Sequence, residues 1–119
     1  MNNFLIERVT EIKDGPTYSF LLWKREERLM QHLRIKVDAH LTKREIQCLS
    51  CNLFGFSAKQ IACILPISHR TVEAYLQKAL HKLSCFSKLA CLEKMHNLGV
   101  LWDWHELARR LLEESHIQF

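Results

Sequence analysis

Residues 57–72 of this 119-residue chain contain two helix starts separated by one helix stop. Ser57-Ala58-Lys59-Gln60 is a capping box, in which the serine hydroxyl and the glutamine side chain satisfy the first amides of a helix. Pro66 ends that helix, because the residue before a proline is pushed out of the α region. Ser68 is the next N-cap signal. Only Leu65-Pro66-Ile67 separates the two helices, which is the spacing of a helix-turn-helix.

Further signals for helix starts and helix ends lie on both sides of this segment. Thr42-Lys43-Arg44-Glu45 is a second capping box, and Gly55 stands where a helix commonly ends in a left-handed residue. Ser87 predicts the start of a fourth helix, and Gly99 predicts its end. Residues 42–99 are therefore expected to form four short capped helices.

The first 40 residues are predicted to form a β-hairpin followed by a connector helix. Residues 4–12 and 18–23 are rich in aromatic and β-branched side chains, with the turn signal Asp14-Gly15-Pro16 between them. Residues 24–38 carry Leu29, Leu33 and Val37 at a spacing of four, which predicts a helix. The final segment, 102–119, is predicted to contain an additional helix over Trp102–Glu114.

Composition favours a mainly α protein. Only 3 glycines and 2 prolines are present, too few for the many turns of a β-sandwich or barrel. No apolar run reaches the roughly 18 residues that a membrane span requires, and no signal peptide is recognisable. The five cysteines fit reduced thiols better than a disulfide framework. We therefore expect a cytoplasmic protein without membrane contact.

The positive charge is concentrated in the middle of the chain. The net charge is +4, and residues 41–98 alone carry eight Lys or Arg against three Asp or Glu. Residues 99–119 are slightly acidic. A compact basic segment indicates a polyanionic partner.

The third predicted helix, Ser68–Leu83, divides into two faces. Its apolar positions fall within one arc, and Arg70, Ala74, Gln77 and His81 lie opposite them, with Glu73 and Lys78 at the margins. Gln77 can pair with adenine, Arg70 with guanine or phosphate, and Glu73 with the cytosine amino group. The alternative is that this is the solvated face of an ordinary amphipathic helix.

Four short sequence segments lie at fixed distances from one another along the chain. They are Leu41-Thr42-x-Arg44-Glu45-x-x-Cys48-Leu49, Gly55-Phe56-Ser57-x-Lys59-Gln60-Ile61-Ala62, Leu65-x-Ile67-Ser68-x-x-Thr71-Val72 and Lys82-Leu83. Together they resemble the LuxR-type (GerE-like) helix-turn-helix domain, without gaps from about residue 41 to residue 101. Sigma-factor region 4 shares part of the pattern, but the opening Leu-Thr-x-Arg-Glu fits LuxR-type domains better.

This resemblance implies a bacterial transcriptional regulator that binds double-stranded DNA as a homodimer. The third helix would enter the major groove and the fourth, Ser87–Leu98, would form the dimer contact. The expected base-facing residues are Arg70, Glu73, Ala74 and Gln77. The expected phosphate-facing residues are Ser57, Lys59, Ser68, Thr71, Lys78 and Lys82. The expected dimer residues are Leu89, Leu92, Met95 and His96.

Three positions depart from the family pattern. Glu73 stands where Lys or Arg is usual, Tyr75 where His is frequent, and Ser84 where glycine follows Lys-Leu. Glu73 removes positive charge from the expected DNA surface, so a dimerisation or protein-interaction module with weak or lost DNA binding is the alternative function.

No enzyme, cofactor or metal is expected. No catalytic constellation is visible among the seven histidines and the acidic residues, and 40 residues before the helix-turn-helix are too few to enclose a small-molecule pocket. Cys48-x-x-Cys51 with Cys85 and Cys91 could form a four-thiolate metal site. These cysteines match positions where the family has Val or Leu, so we interpret them as small core residues.

Overall fold

The computed structural model of the protein describes residues 15–119. Six helices follow one another along this part of the chain, and it contains no strand. The mainly helical prediction is therefore confirmed. The helices are α1 (Gly15–Val37), α2 (Lys43–Phe54), α3 (Ala58–Ile64), α4 (His69–Lys82), α5 (Lys88–Asn97) and α6 (Leu101–Ser115).

The predicted β-hairpin is wrong in its second strand. Residues 18–23 belong to α1, and the first predicted strand, residues 4–12, lies outside the described residues. Pro16 is the second residue of α1. Proline is tolerated in the first turn of a helix because the missing amide hydrogen would have no intrahelical partner there. Adding residues to an existing helix costs little compared with starting one, so residues 24–37 extend their helix backwards over residues of high β-propensity.

The capping signals fix the helix starts as the sequence predicts. Both capping boxes are complete: the Glu45 amide donates to Thr42 Oγ1 at 3.2 Å, and the Gln60 amide donates to Ser57 Oγ at 3.2 Å. Ser68 and Ser87 cap α4 and α5 with the side-chain hydroxyl alone, which accepts from the Thr71 and Ala90 amides. Gly55 ends α2 with φ = 118°, a conformation that residues with a Cβ rarely adopt.

The hydrophobic core is built around α2. Eight of its residues are buried, because both α4 and α6 pack against it. The inner face of α6 contributes Trp104, Leu107, Ala108 and Leu111, and α1 contributes Met30 and Leu33. The helix predicted over residues 102–114 is thus present, and it shares one core with the helix-turn-helix.

The indole of Trp104 connects α6 to α5. Its Nε1 donates a hydrogen bond to Met95 Sδ at 3.1 Å, and both side chains are completely buried. Between residues 15 and 119, none of the helices has the length and apolar composition needed to cross a membrane.

Candidate nucleic-acid interface

Helix α4 has one buried face and one open face. Val72, Ala79 and the cap residue Leu83 are buried in the core, where α4 packs on α2 and α3. The opposite face is exposed, and it carries all four residues predicted to face bases: Arg70, Glu73, Ala74 and Gln77. Their spacing of three, four and seven residues from Arg70 places them on one side of the helix. The structure therefore brings the four together on a single accessible surface.

The N-terminus of α4 is organised by two hydroxyls. Ser68 Oγ accepts a hydrogen bond from the Thr71 amide at 3.0 Å and lies 2.7 Å from Thr71 Oγ1. The first amides of a helix have no partner inside it, and the helix dipole makes this end attractive to anions. Ser68 is exposed and Thr71 is half-buried, so both predicted phosphate-facing residues lie at the solvent edge of α4.

The acidic residue on the open face has a basic neighbour. Glu73 Oε1 lies 3.6 Å from His69 Nε2, one helical turn earlier, and both side chains are about half exposed. The Glu73 carboxylate places a negative charge on the surface that is expected to face a polyanion, and His69 is its nearest basic side chain. Sequence reasoning treated Glu73 alone and missed this pair, although a histidine and a glutamate at a spacing of four can be recognised in a predicted helix.

Lys82 contacts the protein itself, a role that sequence reasoning did not foresee. Its Nζ lies 2.7 Å from Glu45 Oε1 and 2.9 Å from the His40 carbonyl oxygen. The Glu45 side chain is only 3% exposed, whereas the Lys82 side chain is 36% exposed. Glu45 Oε1 also accepts a hydrogen bond from the Thr42 amide at 2.8 Å. The ion pair therefore fastens the last turn of α4 to the first turn of α2.

The charge state of Glu45 fits this role. Burial raises the pKa of the Glu45 carboxyl, but hydrogen bonds from Lys82 and from the Thr42 backbone outweigh that effect. The pKa of Glu45 consequently lies below its ordinary value, and the carboxylate stays charged against Lys82. The remaining predicted phosphate-facing residues, Ser57, Lys59 and Lys78, are exposed, with Ser57 Oγ engaged in the cap of α3.

The four predicted dimer residues lie on two different faces of α5. Leu89 is 65% exposed, Leu92 is half-buried and His96 is exposed. Met95 is completely buried and does not lie on the exposed face of α5. Cys91 and Met95 are four residues apart and both point into the core, whereas Leu89, Leu92 and His96 follow the outer face.

Three of the four cysteines interpreted as core residues are completely buried. Burial raises the pKa of Cys48 to about 11 and that of Cys51 and Cys91 to about 12, which keeps these thiols protonated and unreactive at neutral pH. Cys85 is only half-buried. From residue 15 onward, no group of three or more His, Cys, Asp or Glu side chains is placed to hold a metal ion.

Comparison with known proteins agrees with this arrangement. The family described as "Bacterial regulatory proteins, luxR family" (GerE) matches residues 39–93, which run from just after α1 into α5. Residues 39–93 form a LuxR-family helix-turn-helix domain. The family resemblance predicted from the sequence is therefore confirmed for this part of the chain. Helices α1 and α6 lie entirely outside the matched residues.

The curated relatives that match the LuxR-family domain are transcriptional regulators. The chain is 38% identical over 65 residues to the HTH-type quorum sensing-dependent transcriptional regulator VjbR of Brucella ovis and of Brucella abortus, over 55% of this chain and 25% of each relative. It is also 38% identical over 63 residues to the transcriptional activator protein VanR of Vibrio anguillarum, over 53% of this chain and 26% of that protein. The aligned part spans about a quarter of these relatives. No solved structure matches the chain significantly.

Proposed function

We propose that this LuxR-family domain binds double-stranded DNA and acts as a bacterial transcriptional regulator in the cytoplasm. The observation that carries the proposal is the open face of α4, where Arg70, Glu73, Ala74 and Gln77 are exposed together while the opposite face is fixed in the core. A helix held rigidly by one face can present the other to the major groove, which is wide enough to admit it.

Each residue of this face has a chemical role in the proposal. Gln77 can donate and accept at the adenine edge, and Arg70 can bind guanine or a phosphate. Ala74 lacks a long side chain and allows the helix backbone to approach the bases closely. Glu73 accepts from a cytosine amino group, which favours C·G pairs at its position and repels phosphates elsewhere.

Contacts to the DNA backbone would come from exposed basic and hydroxyl groups around this face. Lys59 on α3 and Lys78 on α4 are exposed lysines, and Ser57, Ser68 and Thr71 lie at helix starts. Such contacts orient the domain without reading sequence. Because Lys82 is engaged with Glu45, we assign it first to positioning α4 and only second to the phosphate backbone.

We further propose that the protein acts as a homodimer through the outer face of α5, with Leu89, Leu92 and His96 at the contact. Phe86 and Leu89, both strongly exposed, lie close together in the chain at the start of α5, and exposed apolar patches commonly mark interaction surfaces. A two-fold dimer would present two copies of α4 to two half-sites of one operator.

The proposal is tested by selecting DNA from a random library with the purified protein and with Gln77→Ala. We expect the wild type to enrich a two-fold symmetric sequence, and Gln77→Ala to lose preference at one base position of each half-site by about 1–3 kcal/mol. Gln118→Ala, at an exposed glutamine beyond α6, is the matched control and should enrich the wild-type sequence.

Enrichment of no sequence by the wild type, together with no binding to random DNA, would contradict DNA recognition. That result would favour the alternative function, a dimerisation or interaction module. The exposed carboxylate of Glu73 on the open face is the observation that supports this alternative.

A further inference from the structure

We propose that a peroxide converts Cys85 and Cys91 into an intramolecular disulfide, and that this disulfide weakens DNA binding by α4. The thiol pair itself is independent of the proposed function, whereas its effect on DNA rests on that function. The pair lies where α4 passes into α5. Its two thiols contact each other, solvent reaches one of them, and a lysine lies beside them.

The two thiols differ in how far they are open to solvent. Cys85 lies just before α5 and is half-buried, whereas Cys91 lies within α5 and is completely buried. A hydrogen bond joins their side chains. By contrast, Cys48 and Cys51 are both completely buried, so that an oxidant in solution reaches neither. An accessible thiol next to a second thiol is the arrangement typical of redox-sensing cysteines.

Solvent reaches Cys85 through a hollow at the C-terminal end of α4. The hollow has a volume of about 450 Å³ and is lined by Gln77, Leu80, His81, Ser84, Cys85 and Phe86. Hydrogen peroxide is little larger than water, whose share of the liquid is about 30 Å³, so the hollow admits it. Gln77 belongs to the open face of α4, and the hollow therefore adjoins the proposed DNA surface.

Lys94 supplies positive charge beside the pair. Its Nζ donates a hydrogen bond to the Leu83 carbonyl oxygen at 2.7 Å, and Cys85 Sγ lies 3.6 Å from the same oxygen. A nearby cation favours the thiolate, which is the form of cysteine that attacks an oxidant. Burial and the neighbouring Cys85 raise the pKa of Cys91 to about 12, so the oxidation begins at Cys85.

The oxidation proceeds in two steps, written here for hydrogen peroxide. The Cys85 sulfur attacks one peroxide oxygen, the O–O bond breaks, and Cys85 becomes a sulfenic acid while the other oxygen leaves as water. The Cys91 sulfur then attacks the Cys85 sulfur, the S–O bond breaks, and the Cys91 proton leaves with the hydroxyl as a second water. The two thiols lose two electrons and two protons, and one peroxide becomes two waters.

The disulfide acts on α4 through the residue that closes its last turn. The Cys85 amide donates a hydrogen bond to the Leu80 carbonyl oxygen at 2.9 Å. A disulfide holds its two sulfurs about 2.05 Å apart, which is closer than two hydrogen-bonded thiols lie. Because Cys91 is fixed in the core, Cys85 must make this approach, and it displaces the end of α4 on which Gln77 is presented.

The thiol pair is tested by peptide mapping of the full chain after treatment with hydrogen peroxide and alkylation of the remaining free thiols. We expect one intramolecular link, between Cys85 and Cys91, that dithiothreitol reverses. Cys85→Ser should abolish the link, whereas Cys63→Ser, at an exposed cysteine on α3, is the matched control and should retain it. An unmodified Cys85, a Cys85 sulfinic acid beside a reduced Cys91, or a link from Cys85 to another cysteine would overturn the pair.

The effect on α4 is tested by fluorescence anisotropy with the duplex DNA that the wild type enriches. We expect oxidation to weaken wild-type binding by about tenfold, which is the worth of one base contact, and dithiothreitol to restore it. The same treatment should leave the affinity of Cys85→Ser unchanged. Saturating duplex DNA should also slow formation of the link, because DNA on the open face of α4 covers the hollow.

The outcomes separate this inference from the proposed function. If the link forms and the affinity for DNA is unchanged, the effect of the disulfide on α4 is wrong. If the reduced protein binds DNA and the link does not form, the thiol pair is wrong and DNA recognition stands. If the reduced protein binds no DNA, the proposed function fails, whereas the peptide map still decides the thiol pair.

Discussion

Helices α4 and α5 are built alike and differ in what they leave exposed. Each begins at a serine N-cap, and each buries two side chains on its inner face, Val72 and Ala79 in α4 and Cys91 and Met95 in α5. The outer face of α4 is polar and charged, whereas that of α5 carries Leu89 beside the exposed Phe86. Capping and core packing therefore fix where a helix lies, and the residues outside the core decide whether it suits nucleic acid or protein.

The largest expected effect on stability comes from the ion pair that fastens α4 to α2. Lys82→Met removes the partner of the buried Glu45 carboxylate and should lower the free energy of unfolding by about 2 kcal/mol. This is less than the range for fully buried pairs, because the Lys82 side chain is one-third exposed. Urea denaturation measures the change. Lys78→Met, at an exposed lysine of the same helix, should have an effect below about 0.5 kcal/mol.

Equal stability of the Lys82→Met and Lys78→Met variants would show that the ion pair does not anchor α4. Lys82 would then be free to serve as the phosphate contact that the sequence first predicts.

The next effect concerns the charge on the open face of α4. Glu73→Gln removes a carboxylate from the surface proposed to face the polyanionic DNA and should raise affinity for random DNA by roughly fivefold at low salt, or about 1 kcal/mol. The gain should shrink as salt is added. Fluorescence anisotropy with labelled duplex DNA measures it, with Glu113→Gln on the exposed side of α6 as the control. If the two variants bind random DNA equally, Glu73 does not lie at the DNA surface.

A smaller effect is expected in the connection between the two helices. Ser84 follows α4 in the left-handed region, at φ = 57°, where a side chain is unfavourable. Ser84→Gly should raise the free energy of unfolding by about 0.5–1 kcal/mol. Ser87→Gly provides the contrast, because it removes the cap of α5 and should not stabilise the fold. A destabilised Ser84→Gly variant would mean that the Ser84 side chain makes a favourable contact.

A pH-dependent effect is expected away from α4 and α5, where α1 meets α6. Burial, with the hydrogen bond and the charge of the nearby Glu114 carboxyl, raises the pKa of Glu26 to about 8. A carboxyl with a raised pKa in the folded state binds more protons there than in the unfolded chain. Its contribution to stability is therefore lost as pH rises from about 4.5 to about 8.

Glu26→Gln should accordingly raise Tm at pH 8 and leave it almost unchanged at pH 3.5. Tm measured by circular dichroism across this pH range tests the expectation, with the adjacent Glu27→Gln as the control. A Glu26→Gln variant whose Tm follows the wild type at every pH would contradict the raised pKa.

The structural features that the sequence predicts best are those that depend only on residues close together in the chain. The caps at Thr42, Ser57, Ser68 and Ser87 are local signals, and each marks a helix start in the structure. The open face of α4 was predicted for the same reason, since a helix wheel depends only on spacing within one element.

The features that the sequence failed to predict depend on contacts between distant parts of the chain. Lys82 and Glu45 are 37 residues apart, and nothing within either segment indicates their contact. Met95 is apolar like Leu92, and the indole of Trp104 shows which face of α5 is inward. The strand predicted at residues 18–23 became helix because α1 continues through residues of high β-propensity, a context that local composition does not reveal.

The central claim, that the open face of α4 binds DNA, is tested most directly by a salt titration of labelled duplex DNA with the wild type and with Ala74→Glu. We predict that the logarithm of wild-type affinity falls linearly and steeply with the logarithm of salt concentration, with a slope of about −0.9 for each phosphate contact. Ala74→Glu should bind much more weakly at every salt concentration, while Ile35→Glu, which adds the same charge on the exposed face of α1, binds like the wild type. No wild-type binding at low salt, or equal binding by the Ala74→Glu and Ile35→Glu variants, would contradict the claim.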